Sequence, residues 1–200
     1  MPPKFTQIAF TSTVKAIQEK HGSREMYERM AARGPDNDTL IPRVADFIRE
    51  RDSFYLGTVN DNGWPYIQFR GGPVGFLKVL DDRTLGFADF VGNCQYLTIG
   101  NLGDSDRTFL FLMDYANRRR LKIWGRARVE YDHPDLVEDL KVPGYDAEAQ
   151  RAILIQVEAW DWNCPKYIPT KYSEEQVAEM IAPLQARIRE LEAQLATDQP

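Results

Sequence analysis

The 200-residue chain is poor in the side chains that most often do chemistry, with two cysteines, Cys94 and Cys164, and two histidines, His21 and His133. Neither pair has metal-ligand spacing, which speaks against a zinc centre and against a disulfide framework. His21 precedes a glycine where a helix should end, and His133 precedes a proline where one should start. These are polar, exposed settings that suit no general base. Long apolar runs are lacking as well. No stretch approaches the roughly 20 residues of a membrane-spanning helix, and Met1-Pro2-Pro3-Lys4 has no apolar leader core. The expectation is a cytoplasmic protein with no membrane partner. Excess positive charge is missing too: a net charge of −5 and a pI near 5.2 weigh against nucleic acid as a partner. The Gly-x-Ser-x-Gly elbow, the Gly-x-x-x-x-Gly-Lys loop, the Gly-x-Gly-x-x-Gly turn and His-Glu-x-x-His are all absent. If the protein is an enzyme, a cofactor supplies the reactivity.

What is present suits one domain with a terminal appendage. A 43% hydrophobic content is enough to bury a core over this length. Residues 1–50 read as helical: Val14 and Ile17, then Met26, Tyr27 and Met30, recur at helical spacing, Ser23 is placed as an N-cap, and a further helix opens at Pro42. From residue 53 short apolar runs alternate with turns. Phe54 to Val59 and Pro65 to Arg70 flank Asn62-Gly63, a hairpin signal, and Phe76 to Leu80 and Thr84 to Phe87 flank Asp81-Asp82-Arg83. A helix is predicted over 93–102, then strands over Thr108 to Met113, Leu121 to Tyr131 and Ile153 to Trp160. Six or seven strands with few intervening helices favour a closed or nearly closed antiparallel barrel. The tail differs in kind. Ser173 and Gln176 form a capping-box pattern, and Val177, Ile181, Leu184, Ile188, Leu191 and Leu195 make a heptad seam, with Pro183 expected to kink or divide the helix. That seam pairs with a partner chain or packs on its own domain.

Four segments are candidates for a binding site. Three glycines in Gln68-Phe69-Arg70-Gly71-Gly72-Pro73-Val74-Gly75 would let a planar ligand, or another backbone, approach a strand edge; a bulge or barrel corner is the other reading. Ala88-Asp89 leads into Asn93-Cys94-Gln95, where free N–H groups at a helix start and two amide side chains would suit a phosphate, or where Asn93 simply caps the helix. Between 118 and 128 lie six cations; strand alternation puts Arg118, Arg120, Lys122, Arg126 and Arg128 beside Trp124 on one face, either a solvated surface or a phosphate-neutralising one. Trp160 and Trp162 share a face and could wall an aromatic ligand or pack in a core or interface.

The order of these segments resembles the pyridoxamine 5′-phosphate oxidase-like, FMN-binding split-barrel family over about residues 40–165. The resemblance is carried by Asp61-Asn62-Gly63-Trp64-Pro65, Leu85-Gly86-Phe87-Ala88-Asp89, Asn93-Cys94-Gln95-Tyr96 with Asn101-Leu102, and Arg120 through Ala127. Gly71-Gly72-Pro73, Gly92 to Tyr96 and Trp162-Asn163-Cys164-Pro165 are similar to its predicted flavin-nucleotide-binding branch. It implies an antiparallel split β-barrel at 51–168 that binds FMN; with the helical segment at 1–50 packed on it and the helical tail at 173–197, both read from the residue pattern, the expectation is a mainly β protein with peripheral helices (α+β). It also implies a homodimer with FMN in the clefts between subunits. There Gln68, Phe69 and Arg70 would run beside the flavin ring and Ala88, Asp89, Asn93 and Gln95 would surround the phosphate. Arg120 and Lys122, from the other subunit, would approach the ring or ribityl chain, and Trp162 would offer its indole. The oxidases carry an Arg-Lys pair where this chain has Cys94-Gln95. The phosphate charge is therefore sought in Arg70, Lys78 or the run 118–122. The closing Arg-x-His segment of the oxidases is replaced by the heptad helix, so pyridoxamine phosphate is not the expected substrate. The implied activity is that of a flavin-dependent oxidoreductase with a small-molecule substrate or reductant. The alternatives are a flavin- or tetrapyrrole-binding module without turnover, and a structural dimer with no cofactor.

Overall fold

Alternation of apolar and polar residues in the middle of the chain builds a seven-stranded antiparallel sheet in the computed structural model, which describes residues 3–34 and 36–197. The strands are β1 (Ser53–Val59), β2 (Pro65–Gly71), β3 (Lys78–Val79), β4 (Thr84–Phe90), β5 (Arg107–Asp114), β6 (Arg119–Glu130) and β7 (Ala149–Trp162), in the order β2-β1-β5-β6-β7-β4-β3. The hairpin expected at Asn62-Gly63 joins β1 to β2, with Gly63 at φ +82°, a conformation that a side chain would strain. The ladder does not close: β2 and β3 are its two ends. The expectation of a closed or nearly closed barrel is met in its split form: among the described residues no ladder joins β2 to β4.

One face of five of the seven strands fills the core. Phe54 and Leu56 of β1, Leu85 and Phe87 of β4, Leu110 and Leu112 of β5, Leu121 and Ile123 of β6, and Ile153, Ile155 and Val157 of β7 are buried together. The helices α1 (Lys4–Ala9), α2 (Ser12–Lys20), α3 (Arg24–Arg33) and α4 (Pro42–Arg49) precede the sheet. The last starts with its proline at the first turn and buries Val44, Phe47 and Ile48 in the same core. Phe5 of α1 stacks on Trp124 at 6.2 Å. Thr11 accepts a hydrogen bond from Val14 N and caps α2, whereas Ser23 precedes α3 without a side-chain cap because its backbone is already helical.

Three expectations are corrected. The strand predicted at Phe76 to Leu80 shrinks to Lys78–Val79, with Phe76 and Leu77 buried ahead of it; the Phe76 ring lies where a Cβ on Gly72 would sit, 2.8 Å away, so close packing explains that glycine. The helix predicted from 93 starts later, as α5 (Leu97–Asp104), because Tyr96 at its N-cap is left-handed at φ +53°. Arg118 is a turn residue at φ +51° rather than part of the cationic strand face. α6 (Pro134–Leu140) follows β6 and buries Val137 and Leu140.

The residues up to Met113 together with Arg120–Cys164 form one compact unit; Asp114–Arg119 with the chain from Pro165 onward form a second. In the second, the capping box is made: Ser173 N donates to Gln176 Oε1 at 3.0 Å and Gln176 N donates to Ser173 Oγ at 3.2 Å. The helix α7 (Glu174–Thr197) runs on through Pro183 without being divided.

Candidate functional site

The ladder is open between β2 and β4, yet side chains bridge the gap. Gln68 and Arg70 of β2 stand opposite Leu56 and Phe54 of β1 and so project to the core side of the sheet. Arg70 Nη1 reaches Asp89 Oδ1 of β4 at 2.6 Å. Asp89 is itself paired in register with Arg151 of β7, whose Nε lies 3.2 Å from Asp89 Oδ2. The register shifts between Asp89 and Phe90, which leaves Gln150 bulged beside Arg151. Behind this cluster, Thr98 Oγ1 donates to Gln68 Oε1 at 2.5 Å and Asn101 Nδ2 to Thr58 Oγ1 at 2.9 Å, fastening α5 to β2 and β1.

A cleft opens along the split. Its charged lining consists of Arg70, Asp89 and Arg151, two cations and one anion, hence a local charge of +1. All three are nearly buried, at 14%, 7% and 10% side-chain exposure. Arg70 Nε and Arg151 Nε are both buried donors with no hydrogen-bond acceptor, since the 3.2 Å approach of Arg151 to Asp89 lacks hydrogen-bond alignment. Leaving such a donor unmet costs about 1–3 kcal/mol, and no acceptor among the described residues meets either one. The Arg151 guanidinium lies 5.3 Å and 5.7 Å from the ring centres of Tyr96 and Tyr131, and that of Arg70 lies 5.7 Å from Phe87. These faces limit where each cation can turn. The loop that forms one wall carries Cys94 and Tyr96 in left-handed conformations, φ +59° and +53°, strain of the kind found at ligand sites. Asn93 Oδ1 accepts from Gln95 N at 3.2 Å, an Asx turn in place of the helix cap.

The structure thus brings Gln68, Arg70, Asp89, Asn93 and Gln95 into one cleft. Phe69 and Ala88 line an adjoining depression that shares Arg70 and Phe90 with it. Lys78 sits in the short β3, opposite Gly86. Trp162 packs edge-on against Phe47 at 4.8 Å, with Arg43 over its ring at 5.6 Å. The cations of β6 lie elsewhere in this chain, and the expectation of a strongly cationic face is corrected by their partners. Lys122 Nζ is 2.6 Å from Asp161, Arg126 pairs with Asp106 and Glu158 at 2.9 and 3.1 Å, and Arg128 pairs with Glu130 at 2.6 Å. The hydrogen bonds that Arg126 donates, to Asp106 first and to Glu158 second, raise its pKa above the usual value. Arg120 Nε donates to the carbonyl of Cys164 at 3.0 Å.

Arg151 was not among the residues expected from sequence. The available signal was a lone arginine at the mouth of the apolar run Ala152 to Ile155, a place where a charge is tolerated only with a partner. The cleft offers guanidinium and amide donors, and no histidine lines it. Its donors and local charge of +1 suit an anion.

An open antiparallel barrel with an arginine-lined cleft along its split is the class that fold and site define. A model of the family described as pyridoxamine 5′-phosphate oxidase matches residues 40–162, and the chain belongs to that family. No curated protein sequence matches it. Among solved structures, HupZ of Group A Streptococcus is 14% identical over 66% of this chain and 98% of its own, with a TM-score of 0.51. An FMN-binding protein from Syntrophomonas wolfei subsp. wolfei is 13% identical over 74% and 97%, with a TM-score of 0.48. The likeness to HupZ is one of fold.

Proposed function

We propose that the protein is an FMN-binding, oxidoreductase-type member of its family, working as a homodimer on a small-molecule substrate or reductant. The observation that carries the reading is the pair of buried guanidiniums, Arg70 and Arg151, that share the single carboxylate of Asp89 and keep an unpartnered Nε each. A phosphate monoester suits them: it brings the missing acceptors and opposite charge, and charge-assisted bonds of this kind are about twice as strong as neutral ones. Gln68, Asn93 and Gln95 line the same cleft and add polar groups, while Phe69 and Ala88 offer an apolar wall beside it. Bound there, FMN would supply the redox chemistry, and the protein would supply orientation, charge and shelter from water.

The outer face of β1 and β2 supports the dimer. Tyr55, Val59, Ile67 and Phe69 are all exposed on it, and Tyr55 and Phe69 touch edge to face at 5.7 Å. An apolar patch of this kind on a sheet face, next to the cleft, suits burial by a second copy. Arg120, Lys122 and Trp162 then act at the ring or ribityl chain of the second copy's cleft, and Lys78 remains the reserve cation for the phosphate.

The test is an absorption spectrum of the purified protein, identification of any released chromophore by mass, and titration with FMN and riboflavin in parallel. About one FMN per chain is expected, with FMN bound at least ~10-fold tighter than riboflavin, the discrimination worth one charge-assisted hydrogen bond. Equal affinity for both would overturn the guanidinium site, and a colourless chain that takes up neither would overturn the flavin reading. Reduction of the loaded protein by a nicotinamide or another small reductant separates an oxidoreductase from a flavin-holding module.

A further inference from the structure

The apolar seam of α7 has no role in the cleft, and it has a defined heptad register. With Val177, Leu184 and Leu191 at d and Ile181, Ile188 and Leu195 at a, all six seam residues are exposed along the helix. Two of the three a residues are isoleucine and two of the three d residues leucine, and β-branched residues at a with leucine at d favour two parallel strands. Pro183 falls at c, away from the seam, so its ring does not obstruct a partner. The charges beside the seam choose an orientation. Arg187 occupies g and Glu192 the following e, so a parallel, in-register pair places each Arg187 against the Glu192 of the other helix. An antiparallel pair with every seam layer filled would instead set Arg187 against Arg187. In the single chain Arg187 is turned to Glu190 on its own helix, at 2.5 Å, an exposed i,i+3 pair that is easily exchanged.

We propose that α7 pairs with the α7 of a second copy of this chain as a parallel, in-register, two-stranded coiled coil. This pairing is independent of the flavin cleft. A seam of three heptads is short, so association is strongest where the helices are held at high local concentration by the rest of the chain.

The test uses the full-length protein with Cys94 and Cys164 replaced by serine, carrying Ile188→Cys at the seam or Ala186→Cys on the opposite side as control. Parallel in-register pairing brings the two 188 positions within disulfide reach, and a covalent dimer should form about tenfold faster there than at 186, as local concentration dictates. In the Ile188→Cys background, Arg187→Glu and Glu192→Arg should each slow cross-linking, and the double exchange should restore it. No preference for 188 over 186 would overturn the proposal. So would cross-linking only in a mixture of Leu184→Cys and Ile188→Cys chains, the mark of an antiparallel pair, or failure of the double exchange to restore the rate.

Discussion

Two arginine-rich regions of this protein behave in opposite ways. On the outer face of β6, Lys122, Arg126 and Arg128 each have a carboxylate or two of their own, and the side chains of Arg126 and Arg128 are 48% and 61% exposed. At the split, two arginines share one aspartate and all three are nearly buried. The denser cluster is therefore the neutral one. Cations are left short of counter-charge where two of them share one buried carboxylate, and the count of arginines along a strand does not measure that.

Removing the shared carboxylate should have the largest effect. Asp89→Ala leaves two buried guanidiniums facing each other, and loss of one partner from a buried pair costs about 3–5 kcal/mol, to be read as a lower urea midpoint that added phosphate partly restores. Next comes Arg151→Met, which leaves Asp89 with Arg70. It should weaken FMN about 10- to 100-fold, the worth of a charge-assisted hydrogen bond, and leave riboflavin affinity unchanged. Arg128→Met removes a cation already satisfied by Glu130, and FMN affinity should fall by less than about threefold; a loss equal to that of Arg151→Met would erase the contrast between the regions. Arg126→Ala should be the weakest change of all, with an unaltered urea midpoint at low and high salt, because its ion pairs are exposed and screened.

Much of the architecture was legible in the chain. Alternation along β1, β5 and β6, the Asn62-Gly63 turn, Pro42 at the start of α4 and the Ser173/Gln176 capping box are all local signals, and each appears where the pattern put it. Local rules were weaker where packing intervened. Phe76 and Leu77 read as strand but are drawn into the core before pairing begins, and Asn93 read as a helix cap while the chain turns through two left-handed residues first. Of the cleft, Gln68, Arg70, Asp89, Asn93 and Gln95 were recognisable on two segments, but Arg151 and the ring of Tyr131 that faces it were not.

By itself the sequence determined most of the elements, the outward face of β6 and the heptad spacing of the tail, because these depend on neighbours within a turn or two of the chain. Only the tertiary structure decided which charges meet. Arg70 and Asp89 are 19 positions apart on strands that share no ladder, and Asp89 and Arg151 are set opposite by the β4–β7 register. The curl of an open sheet brought those three groups together away from water, and the same folding gave Lys122, Arg126 and Arg128 their own carboxylates.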